Sequence, residues 1–426
     1  MFLAASAWPS GAQESWSLDR CISYALEHNL SLREQRLETA ARQDEWKQRQ
    51  WAMLPALSVS VGEELNWGRS VDMQELIIIR NKLTHATGAS INASVTLFDG
   101  LAGYHGSQAA WLAASAARHD TDNLQQSLTL DVTRAYLQLM LARQIHAYAC
   151  ERHATIVLQR ERTASLVETG SQPKSALDEI EAQVASEKAA MVDAACQVRT
   201  ATLTLTRLMN LPGETTFTAG EAFGQDSIAR RIPVITETQV EDYVQGDPRI
   251  LSARARLAES RHHEARAKAA LYPSLRLGAS YGTYYSSAAD SRFGTQFEEN
   301  RNPSLTIQLD IPVFNSMQTI SEVRRSQRAA DRAALQLEKA RSGVEEEVRS
   351  AAIEAENCCQ KYLSSEEKLR AMQNLLDVTE AKYNLGAATA LDYIVARNNH
   401  FKAVSDFLQA KWQYLFQLKL LERYRP

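Results

Sequence analysis

The sequence has 426 residues, of which 23% are charged and 7% aromatic, and its formal net charge is -4 at pH 7. A nucleic-acid-binding protein usually carries a basic surplus, so this balance argues against that class. Long stretches rich in Ala, Leu, Glu, Gln and Arg are typical of long helices, and the sequence contains no run of 18 apolar residues that would predict a transmembrane helix.

The first 15 residues, MFLAASAWPSGAQES, begin with a short apolar run and carry small residues at Ala5, Ala7 and Ala12. This pattern is typical of the tail of a secretory signal peptide whose basic beginning is missing. We therefore predict export and assign 1–15 as a residual signal segment. An ordinary frayed terminus is the alternative.

The rest of the chain contains two copies of one unit, which we find from three landmarks in the same order. The segment EHNLSL aligns with QGDPRI, ASVTLFDG aligns with LDIPVFNS, and the triplet ALD occurs at 176–178 and again at 390–392. The last alignment gives the first copy two extra residues, around Pro173. We predict a first repeat at 16–211, an equatorial linker at 212–239 and a second repeat at 240–426.

Each repeat predicts a helix, two strands and a long helical hairpin. The strands alternate apolar and polar residues, as in Leu57, Val59 and Val61 against Ser58 and Ser60, and each is about 9–11 residues long. Such a strand fits a lipid-facing wall with a wet lumen. It equally fits a soluble antiparallel sheet with one face on a core. Four strands do not close a barrel in one chain, so the membrane interpretation requires oligomerisation.

The helices of the second hairpin are predicted to be very long, because 316–384 contains no proline and only one glycine, Gly343. At 1.5 Å per residue this stretch measures roughly 100 Å. Two rows of mostly small or apolar residues recur every seven positions, which indicates a coiled coil. Gly170 and Gly386 are the predicted turn residues between antiparallel helices.

Catalytic and metal-binding motifs are absent from the sequence: we find no HExxH, Walker loop, G-x-S-x-G or dinucleotide fingerprint. His262 and His263 are adjacent, so they point to different helix faces and predict surface histidines rather than a metal site. We predict no cofactor and no enzyme activity. Cys150 and Cys196 are equidistant from Pro173, which raises the hypothesis of a disulfide across the hairpin.

The ordered set of motifs resembles TolC-family outer-membrane efflux proteins over nearly the whole chain, about 16–424. It comprises LP before a strand, TLFDG, a G…ALD turn, YPSL, IPVF and a Y-x-x-G…LD turn. The opening WSLDRCISYALEHN is similar to versions from Bacteroides-type bacteria.

The resemblance implies a mainly α fold with long antiparallel coiled-coil helices in two repeats. Four strands per protomer would join a trimeric 12-stranded membrane β-barrel. The implied function is the outer-membrane exit duct of a tripartite efflux or type I secretion system, a passive conduit with a long periplasmic extension. Its implied partners are two further copies, a periplasmic adaptor, an inner-membrane pump of the RND or ABC type and outer-membrane lipid. A periplasmic or surface coiled-coil scaffold without a channel is the alternative.

Seven residues receive roles from the resemblance. The partner-binding periplasmic tip would contain Gly170, Lys174, Gly386 and Thr389. The pore constriction would contain Asp178, Tyr383 and Asp392. This chain has Ala388 and Val395 where the family's tip carries an arginine and a second aspartate, so we expect closure by other bonds and a single acidic ring. The alternative for both aspartates is a helix N-cap or first-turn acid.

Overall fold

The structure is a computed structural model that describes residues 16–71, 78–212, 220, 237–289, 291–385 and 387–424. The predicted signal segment 1–15, the turn residue Gly386 and most of the predicted linker 212–239 lie outside the described residues. The chain forms two compact units, one built from Met1–Arg36, Asp120–Ile250 and Arg341–Pro426 and the other from Leu37–His119 and Leu251–Ala340.

The helices account for most of the described chain. They are α1 Leu18–His28, α2 Leu30–Trp51, α3 Ala102–Glu168, α4 Lys174–Met209, α5 Glu237–Gly246, α6 Pro248–Ala269, α7 Phe293–Glu299, α8 Gln318–Asn384 and α9 Ala390–Arg423. Within the described residues, no helix is long and apolar enough to cross a bilayer.

The single helix predicted at the start of each repeat is in fact two helices. Asn29 separates α1 from α2, and its side-chain oxygen accepts the Leu32 N–H at 3.1 Å. Asp247 separates α5 from α6 in the same way and accepts the Arg249 N–H at 2.8 Å. Each side chain satisfies an N–H of the new helix that has no partner within it, so each break is a capped helix start.

The seven-residue rows predicted on α8 coincide with its buried face. Members of both rows are buried among the neighbouring helices, namely Ala330, Val344, Ala351 and Cys358 in one row and Val348, Ala355 and Tyr362 in the other. Small residues in these rows let helices approach closely. The core of the first unit also buries Tyr136 and Tyr414 completely.

The four strands form one antiparallel sheet in the order β1-β2-β3-β4. They are β1 Ala56–Val71, β2 Ile78–Phe98, β3 Ser274–Ser286 and β4 Asn302–Asp310. In the described residues β1 and β4 each pair on one side only, so the sheet of one chain has two open edges.

Residues that share a row across the sheet are chemically alike. One row pairs Leu57 with Ala93, Ala93 with Ala279 and Ala279 with Leu305, and the neighbouring row joins Ser58, Asn92, Ser280 and Ser304. The apolar rows are not covered: Leu57 is 71% exposed and Leu305 is also 71% exposed. The soluble-sheet alternative requires these side chains to pack on a core, and they do not.

The first two strands are longer than predicted, with 16 residues in β1 and 21 in β2. Their hairpin continues beyond the alternating apolar segment because polar side chains pair across it. The Thr87 hydroxyl donates to Glu63, and His85 lies 3.5 Å from the same carboxylate. Trp67 is 71% exposed on this hairpin.

Helix α7 was not predicted and lies in the connection between β3 and β4. Its Gln296 is 1% exposed, accepts the Ser286 N–H at 2.9 Å and donates to the Ser291 carbonyl at 2.8 Å. Phe293 packs against Tyr285 with ring centroids 5.0 Å apart. One buried amide therefore orders this short helix against β3.

The long helices α3 and α8 begin with the same backbone turn. Gly100 and Leu101 have φ of 67° and 70°, and Ser316 and Met317 have φ of 53° and 67°. The residues before them, Asp99 and Asn315, direct their side chains into the first turn of the helix that follows. Both strand-to-helix connections thus repeat a left-handed pair of residues, although only one of the four is glycine.

The hypothesis of a disulfide between Cys150 and Cys196 does not hold, because all five cysteines are free. The Cys150 Sγ faces His146 on its own helix, 3.5 Å from Nε2. Cys196 instead lines a shallow groove with Ala142 and Ile145, which precede Cys150 on α3. Equal sequence distance from the turn did not bring the two thiols together.

Candidate functional site

The first hairpin turn, between α3 and α4, is held by backbone hydrogen bonds and by the Thr169 hydroxyl, which donates to the Leu166 carbonyl at 3.0 Å. The Ser171 N–H donates to the Leu166 carbonyl at 2.8 Å, and the Gly170 N–H donates to the Val167 carbonyl at 3.0 Å. Gly170 has φ of 75°, the left-handed conformation that this type of helix end requires. Pro173 then precedes α4 without a side-chain cap.

The second hairpin turn, between α8 and α9, repeats one of these hydrogen bonds. The Ala387 N–H donates to the Lys382 carbonyl at 2.8 Å, across the same number of residues as the Ser171–Leu166 bond. Leu385 and Leu391 flank the turn and are 85% and 67% exposed. The second tip therefore presents apolar side chains to its surroundings.

The two turns have equal length, which corrects the predicted two-residue insertion. In the first hairpin α3 ends at Glu168 and α4 begins at Lys174, and in the second α8 ends at Asn384 and α9 begins at Ala390. By position in the hairpin, the counterpart of Asp392 is Ala176 rather than Asp178. The two ALD triplets therefore lie two residues out of structural register.

Asp392 forms a capping box with Thr389 at the start of α9. The Thr389 hydroxyl oxygen accepts the Asp392 N–H at 3.2 Å, and the carboxylate oxygen Oδ2 accepts the Thr389 N–H at 3.1 Å and its O–H at 2.7 Å. The Thr389 side-chain bond and then its backbone bond hold the pKa of Asp392 below its ordinary value of 3.8. The first-turn alternative thus holds for Asp392, which remains exposed and ionised at neutral pH.

Asp178 does not have this role. It is the fifth residue of α4, exposed, and the first turn of that helix contains no acidic residue. The capping alternative is therefore wrong for Asp178. Lys174, the first residue of α4, is also exposed.

Removing the cap is expected to loosen the start of α9. Thr389→Ala removes both hydroxyl hydrogen bonds, and we expect a local loss of about 1 kcal/mol, the usual cost of losing an N-cap. Hydrogen exchange at the amides of 390–393 measures it. Thr389→Ser keeps the hydroxyl and serves as the control. Equal exchange in Thr389→Ala and the unaltered protein would contradict the role of the cap.

Tyr383 lies inside the second hairpin rather than free at its tip. Its ring stacks on Tyr393 of α9, with centroids 5.3 Å apart and planes 13° apart, and Tyr393 is 7% exposed. Burial raises the pKa of Tyr393. Tyr393 was not predicted from the sequence. The sequence does contain a signal that could have identified it, because a second tyrosine occurs ten residues after Tyr383, across a predicted turn.

A second feature that the sequence analysis missed is the Arg152 cluster, made of Arg152, Glu187, Tyr148, His400 and Phe401. Arg152 of α3 pairs with Glu187 of α4, and their side chains are 11% and 2% exposed. The guanidinium carbon lies 3.5 Å from the centroid of the Phe401 ring of α9. Tyr148 stacks on Phe401 at 5.5 Å, and its hydroxyl lies 3.2 Å from Nδ1 of His400. This cluster joins the first hairpin to the second.

At the Arg152 cluster, burial and neighbouring charges shift the pKa values of Arg152 and His400 in opposite directions. Burial lowers the pKa of the Arg152 guanidinium, and the Glu187 carboxylate beside it acts in the other direction. Burial likewise lowers the pKa of His400, against the charge of Asp377. An ion pair this deep requires its partner, since either charge alone would be left unpaired in a poorly solvated place.

Two long antiparallel helical hairpins in one chain, together with a four-stranded sheet whose apolar rows are uncovered, define a class of outer-membrane channel protein. The family model described as outer membrane efflux protein matches residues 21–211 and 240–424. The chain belongs to this family, whose members are outer-membrane exit ducts of tripartite efflux systems.

Individual relatives agree with this membership. The chain is 21% identical to the outer membrane protein TolC of Vibrio cholerae over 379 residues, which cover 87% of this chain and 82% of that protein. It is 23% identical to the outer membrane efflux protein BepC of Brucella suis over 319 residues, 75% of this chain and 67% of that protein.

The fold also matches that of the Campylobacter jejuni CmeC outer membrane channel. The TM-score is 0.84 at 15% sequence identity, over 96% of this chain and 85% of that chain. The likeness to versions from Bacteroides-type bacteria stays a prediction.

Proposed function

We propose that three copies of this chain combine their sheets into one twelve-stranded barrel in the outer membrane, and that the helical hairpins continue it as a conduit in the periplasm. One observation carries the proposal, the in-register apolar rows of a sheet with two open edges. In lipid the apolar rows face hydrocarbon, but open edges leave backbone N–H and C=O groups unpaired. Pairing β1 of one copy with β4 of the next satisfies them and closes the wall.

The row chemistry supports this arrangement. The row of Ser58, Asn92, Ser280 and Ser304 faces away from the apolar rows, as a wet lumen requires. Ser280 and Ser304 are hydrogen-bonded to each other at 2.7 Å, so part of this polarity is satisfied within the wall. A coiled-coil scaffold would not require a sheet with one apolar and one polar face.

The hairpin tips are proposed to meet the periplasmic adaptor, which links the duct to an inner-membrane pump of the RND or ABC type. Gly170, Lys174, Gly386 and Thr389 are the proposed contact residues. The exposed Leu385 and Leu391 add apolar surface at one tip. No chemistry is assigned to the conduit, and the pump supplies the energy.

We keep the repeats at 16–211 and 240–426 as the proposed evolutionary units, which differ from the two compact units.

The constriction is proposed to contain Asp392, with Tyr383 beside it and Asp178 in the other hairpin. Three Asp392 carboxylates around one axis would attract cations. Asp392 is suited to this role because it is exposed in the first turn of α9 and is ionised at neutral pH. Tyr383 contributes by its stack on Tyr393, which positions the end of α8 against α9.

Planar-bilayer recording tests both parts of the proposal. Purified protein is expected to run as a heat-modifiable trimer and to conduct, and Asp392→Ala is expected to lower block by divalent cations. Thr389→Ala is the matched control, because it removes the cap but leaves the carboxylate, so block should persist. Absence of conductance with recovery in the soluble fraction would favour the scaffold. Unchanged block in Asp392→Ala would remove that residue from the constriction.

A further inference from the structure

The second compact unit brings two histidines together that lie far apart in the sequence. His105 is the fourth residue of α3 and His262 lies near the end of α6, and their Nδ1 atoms are 3.0 Å apart. The ring centroids are 5.3 Å apart and the planes are inclined at 43°. Both residues are partly buried.

Two neutral imidazoles at this distance can interact in two ways. One ring can donate its Nδ1–H to the Nδ1 of the other as a hydrogen bond, or both can direct lone pairs at a shared cation. Among the described residues, no third His, Cys, Asp or Glu completes a cluster around a common point. Water would therefore fill the remaining positions around a bound ion.

The distance is compatible with one ion shared by both rings. Bonds of about 2.0–2.1 Å from each nitrogen to a common ion give an N–metal–N angle of about 94° when the nitrogens are 3.0 Å apart. An angle near 90° fits neighbouring positions of the tetragonal geometry of Cu²⁺ or Ni²⁺, and Cu²⁺ binds nitrogen ligands more tightly than the other divalent ions of its series.

We propose that His105 and His262 form a two-histidine site for a tetragonal divalent transition metal, Cu²⁺ in the first place, on each chain. Nearby charge is mixed: Arg266 lies beside Gly106, and Glu259 lies one turn before His262. The Glu259 carboxylate is 3.4 Å from His263, so it places negative charge on the exposed side of α6. The site links α3 to α6, and a bound ion would fasten those two helices.

Copper binding to the trimeric protein, purified without a polyhistidine tag, tests the proposal. Calorimetry and electron paramagnetic resonance are expected to show one Cu²⁺ per chain with two nitrogen ligands. His105→Gln and His262→Gln are each expected to weaken that binding at least tenfold. His263→Gln is the matched control, because His263 is adjacent in sequence but faces Glu259, and it should leave binding unchanged.

Copper binding by a second pair of potential ligands must be distinguished from binding at this site. His146 and Cys150 lie 3.5 Å apart on α3 and could bind copper on their own. The titration is therefore repeated in Cys150→Ser, where the dependence on His105 and His262 is expected to persist. Binding that survives in the double variant His105→Gln/His262→Gln, or no saturable binding at all, would overturn the proposal and leave the contact as a hydrogen bond. Neither outcome bears on conductance, which tests the channel separately.

Discussion

Glu187→Ala is expected to lower the free energy of unfolding by about 3–5 kcal/mol, the usual cost of removing one partner from a buried ion pair. Glu187 is 2% exposed and accepts hydrogen bonds from Arg152 and, at 2.8 Å, from Gln183. Without it, the Arg152 guanidinium stays 11% exposed beside the Phe401 ring, with no carboxylate to offset its charge. Chemical denaturation of the detergent-solubilised protein, followed by circular dichroism, measures the loss.

The same two helices offer a matched control. Arg160 of α3 pairs with Glu181 of α4 at 3.1 Å, but their side chains are 47% and 50% exposed. Water screens such a pair, so Glu181→Ala is expected to cost only about 0–1 kcal/mol. If the two substitutions have equal effects, burial is not what makes the Arg152 cluster strong.

Asp247→Ala is expected to lower the free energy of unfolding by about 1.5–3 kcal/mol, the range for a hydrogen bond to a charged group. The Asp247 side chain is fully buried, and Arg249 donates to it from its backbone at 2.8 Å and from its guanidinium at 2.9 and 3.0 Å. Arg249 also donates to Glu347, which accepts the Tyr424 hydroxyl at 2.9 Å. Asp247 therefore holds Arg249, which joins the start of α6 to α8 and, through Glu347, to the end of α9.

Asn29 is the natural control for Asp247. It occupies the corresponding break between α1 and α2 but has no charge, and its amide also donates to the Leu208 carbonyl at 2.9 Å. Asn29→Ala is expected to cost about 0.5–2 kcal/mol, the range for losing a neutral cap. Thermal unfolding midpoints of the two variants compare them directly. A larger drop for Asn29→Ala would show that the charge contributes nothing beyond capping.

The contribution of Asp247 should depend on pH in a definite direction. Burial raises the pKa of this carboxyl, but the hydrogen bonds from Arg249 outweigh burial and hold it below 3.8. A group whose pKa is lowered in the folded state stabilises the protein above its unfolded pKa, and that stability is lost as pH falls through the folded value. The stability difference from Asp247→Asn should therefore be full at neutral pH and shrink below about pH 3.8. A difference that stays constant down to pH 3 would contradict this.

The sequence predicted features that rest on local chemistry. Alternation marked the strands because a pleated backbone sends successive side chains to opposite faces, and Gly170 marked a turn because it occupies a left-handed conformation. The small residues of α8, such as Ala351 and Ala355, marked its packed face. Each of these signals depends on a few residues in order along the chain.

What the sequence did not reveal depends on register and on long-range contact. The ALD triplets match as letters, yet α4 begins two residues before its triplet and α9 begins at the triplet itself. Only the helix boundaries show this. The pairings of Arg152 with Glu187 and of His105 with His262 join different helices, and no local pattern encodes which turns of two long helices lie side by side. For the same reason, equal distance of Cys150 and Cys196 from Pro173 did not predict contact.

All nine residues of β4 are exposed in a single chain, whereas Tyr136 and Tyr414 in the helical unit are fully buried. During biogenesis the helices can therefore bury their core within a single chain. The sheet can be covered only when neighbouring copies and lipid are present. A newly exported chain carries exposed apolar strands and two open sheet edges through water, and both favour aggregation. The rate of assembly should then be limited by the encounter between chains rather than by the folding of a single chain. The exposed strands also imply that the sheet needs a chaperone before it reaches the membrane.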